Sequence, residues 1–181
     1  ACPKTRFVSE LENMAPAFTV APIMHQNFSI LWRYLKAFTG LSNGGDIILI
    51  VGPSNNGKSQ LLGLLARHLR DTLYTHVELG HIPIIGARAN PSQDSRMTPK
   101  QMIRSLLEDG GHPLFDPARI ERAVFYPTPR SYSEDVLLGN LTELVFRRGV
   151  RFVLIVEGQA ITRTKDPKFA ATMMDILKNL A

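Results

Sequence analysis

Asp46-Ile47-Ile48-Leu49-Ile50-Val51-Gly52-Pro53-Ser54-Asn55-Asn56-Gly57-Lys58-Ser59-Gln60 is the stretch on which the fold class turns. Ile47 to Val51 is a continuous apolar run rich in β-branched residues, the pattern of a strand buried on both faces. Gly52 to Ser59 then matches G-x-x-x-x-G-K-[ST] at every required position. Leu61, Leu62, Leu64, Leu65 and Leu69 follow and predict a helix. A strand, a glycine-bearing turn and a helix in that order aim successive backbone N–H groups inward, near the positive end of the helix. That geometry suits a phosphate. Lys58 adds a mobile ammonium for the β- and γ-phosphates, and Ser59 a hydroxyl for a magnesium ion. The nucleotide-binding set is therefore Gly52, Pro53, Ser54, Asn55, Asn56, Gly57, Lys58, Ser59 and Gln60, with ATP and Mg2+ as the cofactors.

Downstream, Ile82 to Ala87 reads as a second strand and Met97 to Glu108 as a helix stopped by Gly110-Gly111. Ser131-Tyr-Ser-Glu134 has the form of a capping box ahead of Leu137, Leu138, Leu141, Leu144 and Val145, with Gly149 closing that helix. Phe152 to Val156 is another apolar strand, and Pro167 to Leu180 a last helix. Strands alternating with helices predict an α/β domain with a largely parallel sheet over residues 46–181. Residues 1–45 form a helical lead-in, in which Phe28, Leu31, Trp32, Leu35 and Phe38 make an amphipathic stripe between a capping Asn27 and Gly40. That helix packs on the main domain, or else contributes to an adenine pocket or a subunit contact.

The chain has 181 residues, enough for one ordinary domain. Its apolar runs fall far short of the roughly 20 residues of a transmembrane helix, so no membrane association is expected. Residues 1–6 are not followed by a signal-peptide core, and Cys2 is the sole cysteine, which excludes an internal disulfide. A cytoplasmic, reducing location is the expectation. The formal charge of +5 permits a polyphosphate or nucleic-acid partner. His76, His81 and His112 lack the spacing of a metal site.

ATPases with such a loop usually end a second buried strand with a magnesium-holding aspartate and a glutamate that orients the attacking water. Here Val156 takes the aspartate position and Glu157 the glutamate position. Catalytic candidates are thus Lys58 and Glu157, and metal candidates Ser59 and Glu157.

Val51 to Ser59, Ile82 to Ala87, Val153-Leu-Ile-Val-Glu-Gly-Gln159 and the tail Met174 to Ala181 together resemble the TniB/TnsC family, the AAA+ ATPases that regulate target selection in transposons. The resemblance implies a P-loop NTPase core of AAA+ type, three layers thick, covering the chain from about Asp46 onward. It also implies ATP-dependent assembly into a homo-oligomeric ring or filament on double-stranded DNA, linking a target-selector protein to the transposase. Val156 departs from the family's acidic residue, which predicts weaker magnesium retention and slow turnover. The family's sensor residues, lid and arginine finger would come after Ala181.

A DNA-encircling ATPase grips phosphates without sequence preference, using Lys, Arg, Thr and backbone N–H groups. The basic segment Arg88 to Arg104 opens a helix with Thr98 as cap and Pro99 in the first position. Cations there oppose the helix dipole, which makes Thr98, Lys100 and Arg104 the DNA candidates. Arg147, Arg148 and Arg151 are a secondary cluster. Two competing readings remain: a P-loop small-molecule kinase or phosphotransferase, and a nucleotide-gated binding module with little hydrolysis.

Overall fold

A computed structural model describes residues 5–14, 26–41, 46–52, 57–74, 80–89, 98–115, 132–158 and 167–180. In chain order these form α1 (Arg6–Met14), α2 (Gln26–Leu41), α3 (Lys58–Leu73), β1 (Ile84–Arg88), α4 (Pro99–Asp109), a 3-10 turn (Pro113–Phe115), α5 (Glu134–Arg148), β2 (Phe152–Val156) and α6 (Pro167–Leu180).

β1 and β2 pair in parallel, with Ile84 opposite Phe152 and Arg88 opposite Val156. The period of two along a strand sorts their side chains between two cores. Ile85 and Ala87, with Val153 and Ile155 packed against them, join Met102, Ile103, Leu106 and Leu107 of α4, and residues of α5 and α6. Ile84, Leu154 and Val156 face the other way, toward Phe7, Val8 and Leu11 of α1, Leu35 of α2 and the apolar stripe Leu61, Leu65, Ala66 and Leu69 of α3. Among the described residues, helices therefore cover both faces of a two-stranded parallel sheet.

The two edges of that sheet are treated differently. Ala89 N–H donates to the Val156 carbonyl at 2.8 Å, so the odd-numbered amides of β1 face β2 and the Gly86 amide faces away. The Asp109 carboxylate, at the end of α4, accepts from Gly86 N–H at 2.9 Å and from Phe7 N–H at 2.7 Å. One side chain thus ties α4, the outer edge of β1 and the start of α1 together. Gly86 permits the close approach: a Cβ there would collide with the Phe7 ring and come within 2.7 Å of the Leu154 carbonyl. The outer edge of β2 has no strand beside it among the described residues.

The segment expected to be the first buried strand departs from the sequence reading. Residues 46–52 form no ladder. Leu49 is 76% exposed and Val51 80%, and only Ile50 packs against the α3-side core. An apolar run becomes a strand only where a neighbouring strand takes its amides and carbonyls, and here none of the described strands does. Smaller departures concern helix ends. α2 begins at Gln26, so Asn27 lies inside the helix, and it runs one residue past Gly40. α5 begins at Glu134 with Ser133 as cap, its Oγ accepting from Val136 N–H at 3.4 Å, so Glu134 is not the third residue of a box. Ser131 lies outside the described residues. α1 adds a lead-in helix that the sequence reading did not assign; its Phe7, Val8 and Leu11 are buried at helical spacing. The last helix keeps the expected bounds. No described helix is long and apolar enough to cross a membrane.

Candidate functional site

α3 starts on the loop lysine itself. Its cap is Gly57, in the left-handed region at φ 75°, where a side chain would be strained. The Gly57 carbonyl takes Leu61 N–H at 2.8 Å and begins the helical ladder. Lys58 folds back across the turn, and its Nζ donates to the Gly52 carbonyl at 2.8 Å. Gly52 and Lys58, six apart in sequence, are thereby brought into direct contact. Ser59 and Gln60 are exposed in the first turn of α3. Pro53, Ser54, Asn55 and Asn56 lie outside the described residues.

At the end of β2 the chain changes direction abruptly. Val156 is 6% exposed and packs into the core that includes Leu61 and Leu65 of α3, so the strand end and the loop helix share one face of the sheet. Glu157 follows with φ 64°, the one described non-glycine residue at positive φ, and its side chain is exposed. A left-handed glutamate costs backbone energy that a glycine would avoid, and such residues gather at functional turns. Gln159 lies outside the described residues.

The oxygens that the chain offers toward magnesium are few. The Ser59 hydroxyl and the Glu157 carboxylate are hard oxygen ligands, and Mg2+ commonly takes only one or two protein oxygens beside phosphates and water. Val156 offers none. Among the described residues, no three His, Cys, Asp or Glu side chains form a metal-holding group.

The DNA candidates lie across the sheet from this site, on α4. Thr98 caps that helix in a full box: its Oγ1 accepts from Gln101 N–H at 3.2 Å while Thr98 N–H donates to Gln101 Oε1 at 2.8 Å. Lys100 and Arg104 stand one turn apart on the same side. Arg104 donates to Glu108 at 2.8 Å and lies 5.6 Å from the Phe115 ring centre. An exposed pair of this kind is worth little and yields readily to a phosphate. In the secondary cluster, Arg147 pairs with Glu143 at 2.8 Å and Arg148 donates to the Gly80 carbonyl at 2.9 Å. The imidazole of His112 is engaged locally, its Nδ1 accepting from Leu114 N–H at 3.2 Å.

Arg88 was grouped with the DNA-facing segment in the sequence reading, and the structure moves it. As the register partner of Val156, it stands at the end of β1 on the α3 face, half-buried. Ligands in open parallel sheets bind beyond the carboxyl ends of the strands, and Arg88 is a cation at that end. Strand alternation from Ile84 would have placed it there from sequence.

No protein-family model matches the chain, and no curated protein matches it.

Proposed function

We propose that this chain binds ATP with Mg2+ at the turn Gly52–Ser59 and hydrolyses it slowly. Through its resemblance to the transposon AAA+ regulators, we further propose that it oligomerises on double-stranded DNA and connects a target selector to a transposase. The observation that carries the first part is Lys58, which heads α3 and holds its ammonium against the Gly52 carbonyl at 2.8 Å. A phosphate entering the turn exchanges that neutral carbonyl for an anion, a stronger partner for the ammonium. The amides at the start of α3 and the Lys58 ammonium bind the phosphates, and Ser59 and Glu157 supply oxygens to the metal. Bound Mg2+ would neutralise charge developing on the phosphoryl oxygens. The exposed Glu157, set by its left-handed backbone, serves to orient the attacking water.

Slow turnover follows from Val156. A buried valine cannot fix the metal's water shell, and small misplacements of reacting groups cost large factors in rate. The same residue favours a second reading, a nucleotide-gated binding module in which ATP is held and scarcely hydrolysed.

ATP titration and phosphate release, each with and without duplex DNA, test these readings together. Lys58→Ala should weaken ATP binding by about 2–5 kcal/mol, the usual result of removing one partner of a desolvated charge contact. Unchanged affinity removes the turn as the nucleotide site. DNA-stimulated release supports the transposon-type reading, and tight binding with negligible release under both conditions supports the module.

A further inference from the structure

The turn at Gly57 is flanked by two side chains that phosphate binding does not use. A Cβ built on Gly57 would lie 3.4 Å from Gln60 Oε1 and 3.9 Å from Phe28 Cε2. An aromatic ring from the first turn of α2 and a carboxamide from the first turn of α3 therefore both stand beside Gly57. The ring is half-buried rather than sealed in the core, and the carboxamide belongs to an exposed residue. One turn further along α2, Trp32 packs edge-on to His68 of α3, with ring centres 5.6 Å apart, and Leu35 is buried in the shared core. These contacts pin the middle of α2 to the later turns of α3, and Phe28, one turn before Trp32, stands beside the Gly57 cap.

We infer that Phe28 and Gln60 form the base-recognition corner of the nucleotide site, the ring stacking on a purine and the carboxamide reading its edge. The inference rests on the nucleotide-binding reading above and adds what the site selects. Phosphate contacts alone treat all triphosphates alike. A flat apolar ring at the mouth of the turn gives a base a surface that water and inorganic polyphosphate cannot use. A carboxamide, with one acceptor and two donors in a plane, matches the paired N6–H donor and N7 acceptor of adenine; guanine offers two acceptors on the corresponding edge. The corner therefore favours adenine over guanine.

Affinities for ATP, GTP and inorganic tripolyphosphate, measured on the whole chain and on Phe28→Leu, Phe28→Tyr and Gln60→Ala, decide the matter. The parent should bind ATP about tenfold or more tighter than tripolyphosphate, the scale of one base stacked on one aromatic ring. Phe28→Leu should remove most of that margin and leave tripolyphosphate binding unchanged, whereas Phe28→Tyr should keep it. Gln60→Ala should shrink the preference for ATP over GTP. The inference is overturned if the parent binds tripolyphosphate as tightly as ATP, or if Phe28→Leu weakens both ligands equally and so only shapes the turn. A parent that binds neither ATP nor tripolyphosphate fails earlier, at the phosphate turn itself.

Discussion

Ile47–Val51 and Phe152–Val156 are apolar runs of equal length and similar composition, yet they occupy opposite environments. Phe152–Val156 pairs with β1 and divides its side chains between two cores. Ile47–Val51 makes no ladder and leaves Leu49 and Val51 largely uncovered. Fully burying one such side chain is worth about 1.5–3 kcal/mol, so the first run forgoes what the second collects. An apolar run creates a demand for cover; a neighbour of the right register meets it. The sheet edges repeat the lesson, since β1 has its outer edge closed by Asp109 and α1, while the edge of β2 beyond Val153 and Ile155 has no described strand.

The sharpest way to break this contrast is a matched pair of substitutions. Leu154→Asp puts a carboxylate into the α3-side core and should cost several kcal/mol, enough to unfold a marginal domain. Leu49→Asp, on the exposed run, should change stability by no more than about 0.5 kcal/mol in urea unfolding. Equal damage at both positions would mean that residues 46–52 are covered in solution.

Val156→Asp tests the end of the paired run. The new carboxylate enters a buried position beside α3, so unfolding without nucleotide should show a loss of about 2–4 kcal/mol, smaller than at Leu154 because the strand ends there. Mg-ATP should recover part of that loss and turnover should rise, since the carboxylate gains a metal to serve. Full stability without nucleotide would show that residue 156 does not face the core.

The smallest effects concern pH and the closed edge. Burial raises the Asp109 pKa above the ordinary carboxylate value, outweighing the opposing hydrogen bonds from Phe7 and Gly86. The folded state therefore holds that proton more tightly than the unfolded chain. Its contribution is full below the ordinary carboxylate pKa and fades as pH rises through the raised value. Burial lowers the His112 pKa, with Glu143 opposing and Arg148 assisting. That contribution is present above the ordinary imidazole pKa and fades as pH falls through the lowered one. Urea unfolding from acid to neutral pH should show the parent losing stability relative to Asp109→Asn as pH rises through the acid range. Over the range just below neutrality the parent should lose stability relative to His112→Gln as pH falls. Parallel curves for parent and variant would remove that residue from the pH response.

Local patterns were legible wherever a short stretch carries its own physics. Gly149 closes α5 in the left-handed region because glycine alone takes φ 59° without strain, and Thr98 caps α4 with its own hydroxyl. The loop glycine and lysine were legible for the same reason: Gly57 turns the chain and Lys58 reaches the Gly52 carbonyl across a fixed number of bonds. Arg88 was misplaced because its neighbours in sequence, rather than its strand register, were used to locate it. Helix α1 was missed because Phe7, Val8 and Leu11, the buried apolar residues among those described, give little periodicity to read.

Sequence by itself determined the helix that follows Gly57, the helix stripes and the alternation that sends Val156 and Ile155 to opposite faces, since each depends on residues within a few positions of one another. Only the tertiary structure decided which apolar run became a strand, that Asp109 closes the edge of β1, and that Phe28 stands beside Gly57. Those outcomes depend on which distant segments compete for the same amides and the same apolar surface, and that competition is settled by the packing of the whole chain.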